Sequence, residues 1–142
     1  MPALNQYVAI VDSTGASDPS SLAGYAEPGS RWNYAAAAAG ILNTTTAVTF
    51  KAAAGAGLRN YVTSIDIMAE VLGAATELAI RDGAAGTVLW RTKIGTGGLT
   101  SGRSITFPAP LKGTANTLLE VVTLTASVTG AVYFNATGFV AA

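Results

Sequence analysis

The sequence predicts an all-β fold, with about eight short strands in two antiparallel sheets packed face to face behind an extended N-terminal arm. Three observations predict it. From Arg31 onward, short runs rich in Val, Ile, Thr, Tyr, Phe and Trp recur between Gly, Pro and Asn signals. Within several of these runs apolar and polar residues alternate with period two, the pattern of a half-buried strand. Helix lacks the length it needs: Ala35–Ala39 and Ala52–Ala54 are interrupted by Gly40, Gly55 and Gly57, well below the roughly 12–15 residues at which an isolated helix becomes marginal.

The elements follow in order. Residues 1–30 carry Asp12, Asp18 and Glu27 and no Lys or Arg, a charge of −3 that leaves +3 on the rest. Ser13–Ser21 and Glu27–Ser30 are turn and breaker sequence, so this span is expected to be a flexible acidic arm. Gln6–Val11 near its start is β-like and needs a partner edge, which another subunit can provide. Tyr7, Val8, Ile10, Asp12, Asp18 and Glu27 are therefore the candidate contact residues.

Residues 31–142 form the predicted sandwich domain, with strands over Arg31–Ala36, Thr46–Lys51, Leu58–Ala69, Thr76–Asp82, Thr87–Lys93, Arg103–Phe107, Thr117–Leu124 and Ala131–Val140. In the third run Tyr61, Thr63, Ile65 and Ile67 are assigned to the buried face and Asn60, Ser64 and Asp66 to the other. In the fourth, Leu78 and Ile80 oppose Glu77 and Arg81. Asp82-Gly83-Ala84-Ala85-Gly86 then makes a tight turn into Val88 and Trp90. Gly95–Gly102 reads as a hairpin loop, and Pro108 and Pro110 mark an edge or a corner. Small β domains must hide their edges, so eight such strands suit a two-sheet jelly roll. The expected core is Trp32, Val48, Phe50, Tyr61, Ile65, Ile67, Leu78, Ile80, Val88, Trp90, Ile105, Phe107, Leu119, Val121, Val132 and Phe134.

Composition narrows function. The 142 residues hold 8 Lys+Arg, 8 Asp+Glu, no His and no Cys. Disulfides, thiolate and imidazole metal sites, and Ser-His-Asp or Cys-His catalysis are excluded. Only 11% of residues are charged, whereas 28 Ala, 18 Thr and 16 Gly give a lean core. Zero net charge removes the self-repulsion that keeps small domains apart, which favours assembly. No signal-peptide pattern or apolar run of membrane-spanning length is present, so a soluble, non-exported chain is expected.

Little of the chemistry-bearing sequence points to a reaction. Asp66, Glu70, Glu77 and Asp82 are the carboxylates of the third and fourth runs, and nothing in their spacing indicates the facing pair a glycosidase needs. Gly95–Gly102 lacks the Lys-Ser/Thr ending of a phosphate loop. Arg59, Arg81, Arg91, Lys93 and Arg103 are not interleaved with aromatics as in a single-strand nucleic-acid platform. Asn43-Thr44-Thr45 and Asn135-Ala136-Thr137 match the glycosylation sequon, but without a secretion signal they imply only turn and strand positions.

The segments Ala47-Val48-Thr49-Phe50-Lys51-Ala52-Ala53-Ala54-Gly55-Ala56-Gly57-Leu58-Arg59-Asn60-Tyr61, Ile80-Arg81-Asp82-Gly83-Ala84-Ala85-Gly86-Thr87-Val88-Leu89-Trp90-Arg91 and Phe107-Pro108-Ala109-Pro110-Leu111-Lys112-Gly113-Thr114-Ala115-Asn116 resemble jelly-roll capsid cementing, or decoration, proteins of tailed double-stranded DNA bacteriophages. The resemblance runs from about Trp32 to the C-terminus and brings no functional residue with it. It implies a non-enzymatic virion protein without cofactor or metal, made in the host bacterial cytoplasm. Such a protein sits on the outer capsid surface and bridges major capsid protein subunits of HK97-like fold against DNA pressure. A homo-oligomer is expected, dimer before trimer, with no nucleic-acid or membrane partner and with the arm residues touching capsid or subunit. The alternative is a tail-fibre or receptor-binding head that recognises a host surface glycan through Trp32, Tyr34 or Tyr133. A cell-wall hydrolase using the four carboxylates is the enzymatic alternative.

Overall fold

Period-two patterning produces nine strands among the described residues of a computed structural model, which are 30–126 and 129–142. They are β1 (Arg31–Tyr34), β2 (Ile41–Leu42), β3 (Val48–Lys51), β4 (Arg59–Ala69), β5 (Thr76–Asp82), β6 (Thr87–Ile94), β7 (Leu99–Lys112), β8 (Leu119–Thr123) and β9 (Ala131–Ala141). All eight predicted runs are strands, and the two-residue β2 is an addition. The Ala-rich runs are not helical.

One sheet has the order β1-β9-β4-β7 with β2 also on β9, and the other has the order β3-β8-β5-β6. Every pairing is antiparallel, and the partners nest as β5·β6, β4·β7, β3·β8 and β1·β9. That nesting is one long hairpin folded over on itself so that its strands alternate between two sheets, which is jelly-roll topology.

Both inner faces are apolar. Val62, Ile65, Ile67, Val132 and Phe134 of the five-stranded sheet meet Phe50, Leu78, Ile80, Leu119 and Val121 of the four-stranded one. Each open flank is closed by rings. On the β1/β3 flank Phe50 lies 6.0 Å from Trp32, 6.0 Å from Tyr34 and 5.1 Å from Phe134 between ring centroids. On the β6/β7 flank Trp90 and Phe107 meet edge to face at 6.3 Å.

Two bulges change the predicted faces. Opposite β9 the register steps from Val62↔Gly138 to Ser64↔Thr137, so Thr63 is an extra residue and side-chain parity reverses there. Asn60 and Val62 therefore point inward with Ile65 and Ile67, while Tyr61 turns outward to stack on Phe139 at 4.8 Å. The expectation that Tyr61 is core and Asn60 solvated is corrected accordingly. The Thr63 hydroxyl donates to the Thr137 carbonyl at 3.1 Å, repairing the ladder at the break. In β6 the register steps from Ile80↔Trp90 to Arg81↔Val88, which makes Leu89 the extra residue. Leu89, in place of the predicted Val88, packs against the core.

The predicted turn after Asp82 joins β5 and β6 with a Gly86 N–H to Gly83 carbonyl hydrogen bond of 3.0 Å. The second predicted hairpin is different. Only residues 95–98 turn, strand resumes at Leu99, and the connection crosses from one sheet to the other. Pro108 and Pro110 fall on the edge strand β7, where its register with β4 jumps from Thr106 to Leu111, as residues without an N–H require.

Gly138 is needed for close approach. A Cβ there would run into the Tyr61 carbonyl of the paired strand and the Trp32 indole laid over it. Gly138→Ala is expected to cost about 1–3 kcal/mol through overpacking, lowering the urea midpoint with an unchanged slope. An unaltered midpoint would contradict the packing described.

A candidate interaction face

The chemistry-bearing side chains come first, because their positions decide between a reaction centre and a surface. Asp66 projects from the outer face of β4 and accepts a hydrogen bond from the Ser104 hydroxyl of β7. Glu70, just past β4, accepts from the Ala131 N–H at 3.1 Å and ties the start of β9 to the end of β4. Glu77 of β5 faces Arg91 of β6 at 3.4 Å. Asp82 accepts from the Thr114 N–H at 2.9 and 3.0 Å and from the Thr114 hydroxyl at 2.6 Å, pinning the loop after β7. Glu120 of β8 pairs with Arg81 of β5. Its carboxylate also accepts from the Ala85 N–H at 2.8 Å, which holds the β5–β6 turn.

Each carboxylate of the described residues thus engages a donor that fastens one element to another. Asp66 lies on the five-stranded sheet with Glu70 just past the end of β4, and Glu77, Asp82 and Glu120 lie on the four-stranded one. No two of them face each other across a cleft in the manner of a hydrolytic pair. Among the described residues, no group of three or more acidic, His or Cys side chains is placed to hold a metal.

The basic residues are divided as well. Arg81, Arg91 and Lys93 lie on β5 and β6, whereas Arg59 donates to the Gly113 carbonyl at 3.2 Å at one end of the sandwich. Arg103 lies on edge strand β7. The two sequon asparagines also have structural work. Asn43 is buried and donates to the Ala74 carbonyl at 3.1 Å, and Asn135 accepts the Ala36 N–H at 2.9 Å.

Of the aromatics considered for glycan contact, Trp32 and Tyr34 turn inward onto Phe50. Tyr133 lies on the other side of β9, where it is half-buried opposite Met68. That side is the broad outer face of the five-stranded sheet, and register organises it in rows. Tyr61 and Phe139 form a stacked pair at one end. Thr63, Ser64 and Thr137 then form a hydroxyl cluster with contacts of 2.6–3.1 Å. Asp66 and Asn135 come next, and Met68, 43% exposed, stands with Tyr133 at the far end. Apolar surface at both ends of a short-side-chain polar middle suits flat contact with a protein, since rings and thioethers supply area and hydroxyls adapt their donors. Sequence reasoning missed this face because the parity reversal at Thr63 is what brings Tyr61 onto it.

Tyr7, Val8, Ile10, Asp12, Asp18 and Glu27 lie outside the described residues. No helix of the described residues is long and apolar enough to cross a membrane.

No protein-family model matches the chain, and no curated protein matches it in sequence. Among solved structures it is similar to the coat protein of Tobacco streak virus in two crystal structures. The C2 form has 16% identity and a TM-score of 0.37, covering 81% of this chain and 89% of that one. The dimer has 15% identity and a TM-score of 0.36, covering 82% and 89%. Superposition this loose carries nothing about function.

Proposed function

We propose that this chain is a non-enzymatic structural protein of a tailed-phage virion. It binds the outer capsid surface and bridges neighbouring major capsid protein subunits, stabilising the shell against DNA pressure. The observation that carries the reading is the use of polar chemistry in the fold. Every described carboxylate is engaged in fastening strands and loops, while the outer face of the five-stranded sheet presents half-buried rings, the exposed Met68 and a hydroxyl cluster. Such a molecule is equipped to hold a surface. The phage-like segments of β3–β4, β5–β6 and the β7 end support the same reading. A modest contact repeated at many sites on a shell becomes strong through effective concentration, so a lean, weakly charged face is sufficient.

Quantitative mass spectrometry of virions from the phage or prophage that encodes the chain tests this. Near-equal abundance with the major capsid protein is expected. A small fraction of that abundance would move the protein to a tail or fibre, and absence from the particle would end the virion reading. Met68→Glu, which places charge at the exposed end of the face, is expected to lower capsid occupancy about tenfold or more, the loss of about 1.4 kcal/mol per site. Its melting temperature should stay near that of the parent, and unchanged occupancy would remove the face from the contact.

A further inference from the structure

A two-sheet sandwich leaves four strand edges, and here they are unequal. β1 and β3 have four residues each, and β3 is irregular at Phe50. β7 is long, but its register with β4 shifts twice and it carries Pro108 and Pro110, which lack the N–H a ladder needs. β6 differs. Beyond its bulge at Leu89, Trp90–Ile94 pairs with Thr76–Ile80 without a register shift and contains neither Pro nor Gly. Among the described residues β6 pairs with β5 alone, so the outward row of N–H and C=O groups on this stretch is open to an added strand.

Charge decides which strand fits. Arg91 and Lys93 stand opposite Ala79 and Glu77, on the outer side of the four-stranded sheet, and both are exposed. Arg91 reaches Glu77 at 3.4 Å, a surface pair of little energy. Lys93 has no ionic or hydrogen-bonding partner among the described residues, and neither has Arg103 on the β7 edge of the same flank. No acid lies on β6 or β7. These charges disfavour a second copy of the same edge. Antiparallel pairing that continues the outer face sets Arg91 against Arg91 or Lys93, or Lys93 against Lys93, and like charges directly opposite are destabilising.

A strand with acids at alternate positions reverses the sign of that interaction. Its acids share one face by the period of two and stand opposite Arg91 and Lys93. The residues between them fall on the inner side, along Trp90, Thr92 and Ile94. Trp90 is half-buried there and meets Phe107 at 6.3 Å, so apolar residues at those positions extend the ring contact that closes this flank.

We infer that the β6 edge is a strand-addition site for an extended acidic segment of a partner protein, in which acids alternate with apolar residues. Arg91 and Lys93 select the segment, and the ladder over Trp90–Ile94 holds it. The inference does not depend on the virion role.

Hydrogen exchange on the full-length protein tests it, so that an added peptide must compete with every segment of the chain itself. The probe is an end-capped peptide of alternating Glu and Val. It is compared with one of alternating Lys and Val, and with a Glu/Val peptide whose central Val is replaced by Pro. At low salt the Glu/Val peptide is expected to slow exchange of the outward amides within Trp90–Ile94 about tenfold, and the other two to leave it unchanged. Arg91→Glu/Lys93→Glu, at exposed positions, is expected to keep a melting temperature near that of the parent and to reverse the preference, so that Lys/Val protects and Glu/Val does not. Equal protection by Glu/Val and its Pro variant would overturn strand addition in favour of charge attraction alone. Protection of the parent by Lys/Val as well would overturn selection by Arg91 and Lys93. No protection by any peptide would overturn β6 as an acceptor and leave its basic residues as a guard against edge pairing.

Discussion

Phe134→Ala is expected to cost the fold about 3–5 kcal/mol, the range for truncating a fully buried aromatic. Phe134 is 0% exposed on β9. Its ring meets Phe50 edge to face at 5.1 Å and Tyr34 at 6.4 Å, so it belongs to a cluster that joins the two sheets. Truncation removes buried area, the pairwise ring terms of about 0.5–1.5 kcal/mol, and the support of Phe50, whose other ring contacts are the edge residues Trp32 and Tyr34. The surrounding strands are held by ladders and collapse poorly into the void. Urea unfolding reads the effect as a lower midpoint, and Phe134→Leu, which keeps much of the volume, should fall well between the two. A loss under 1 kcal/mol for Phe134→Ala would mean the cluster does not join the sheets.

Glu120→Ala is expected to cost about 3 kcal/mol, at the lower end for breaking a buried pair. The side chains of Arg81 and Glu120 are 18% and 6% exposed. Removal of the carboxylate leaves a guanidinium with little water and orphans the Ala85 N–H in the turn. The loss comes from the stranded partner more than from the pair itself, which yields a second expectation. Arg81→Leu/Glu120→Leu should recover much of the stability lost in Glu120→Ala, since well-packed apolar replacements of buried pairs are often neutral or better. A double variant no better than the single one would show that the pair contributes more than its desolvation costs.

These two residues also mark the limit of what could be read along the chain. Phe134 was legible as core, because β9 keeps strict alternation from Val132 to Gly138. Glu120 was not. It looks like any strand carboxylate, and only pairing Arg81 with Glu120 across β5 and β8 makes it a buried anchor. Tyr61 was misplaced for a related reason. Nothing local to Asn60–Ile67 announces that Thr63 is surplus, since surplus is defined against Thr137, 74 residues away. The composition of the outer face of the five-stranded sheet was hidden with it, and the candidate arm residues lie outside the described residues.

Eight of the nine strands, the turn from β5 into β6, and the lack of imidazole, thiol and disulfide chemistry were readable from the residues alone. Alternation, turn preference and composition act within a few residues, so they survive without knowledge of partners. Tertiary structure decided the order β1-β9-β4-β7 over β3-β8-β5-β6, the inward turn of Trp32 and Tyr34, the outward turn of Tyr61, and the bulge at Leu89 in β6. Those depend on which distant strands bury each other's apolar faces, and burial is a property of the whole sandwich that no single run encodes.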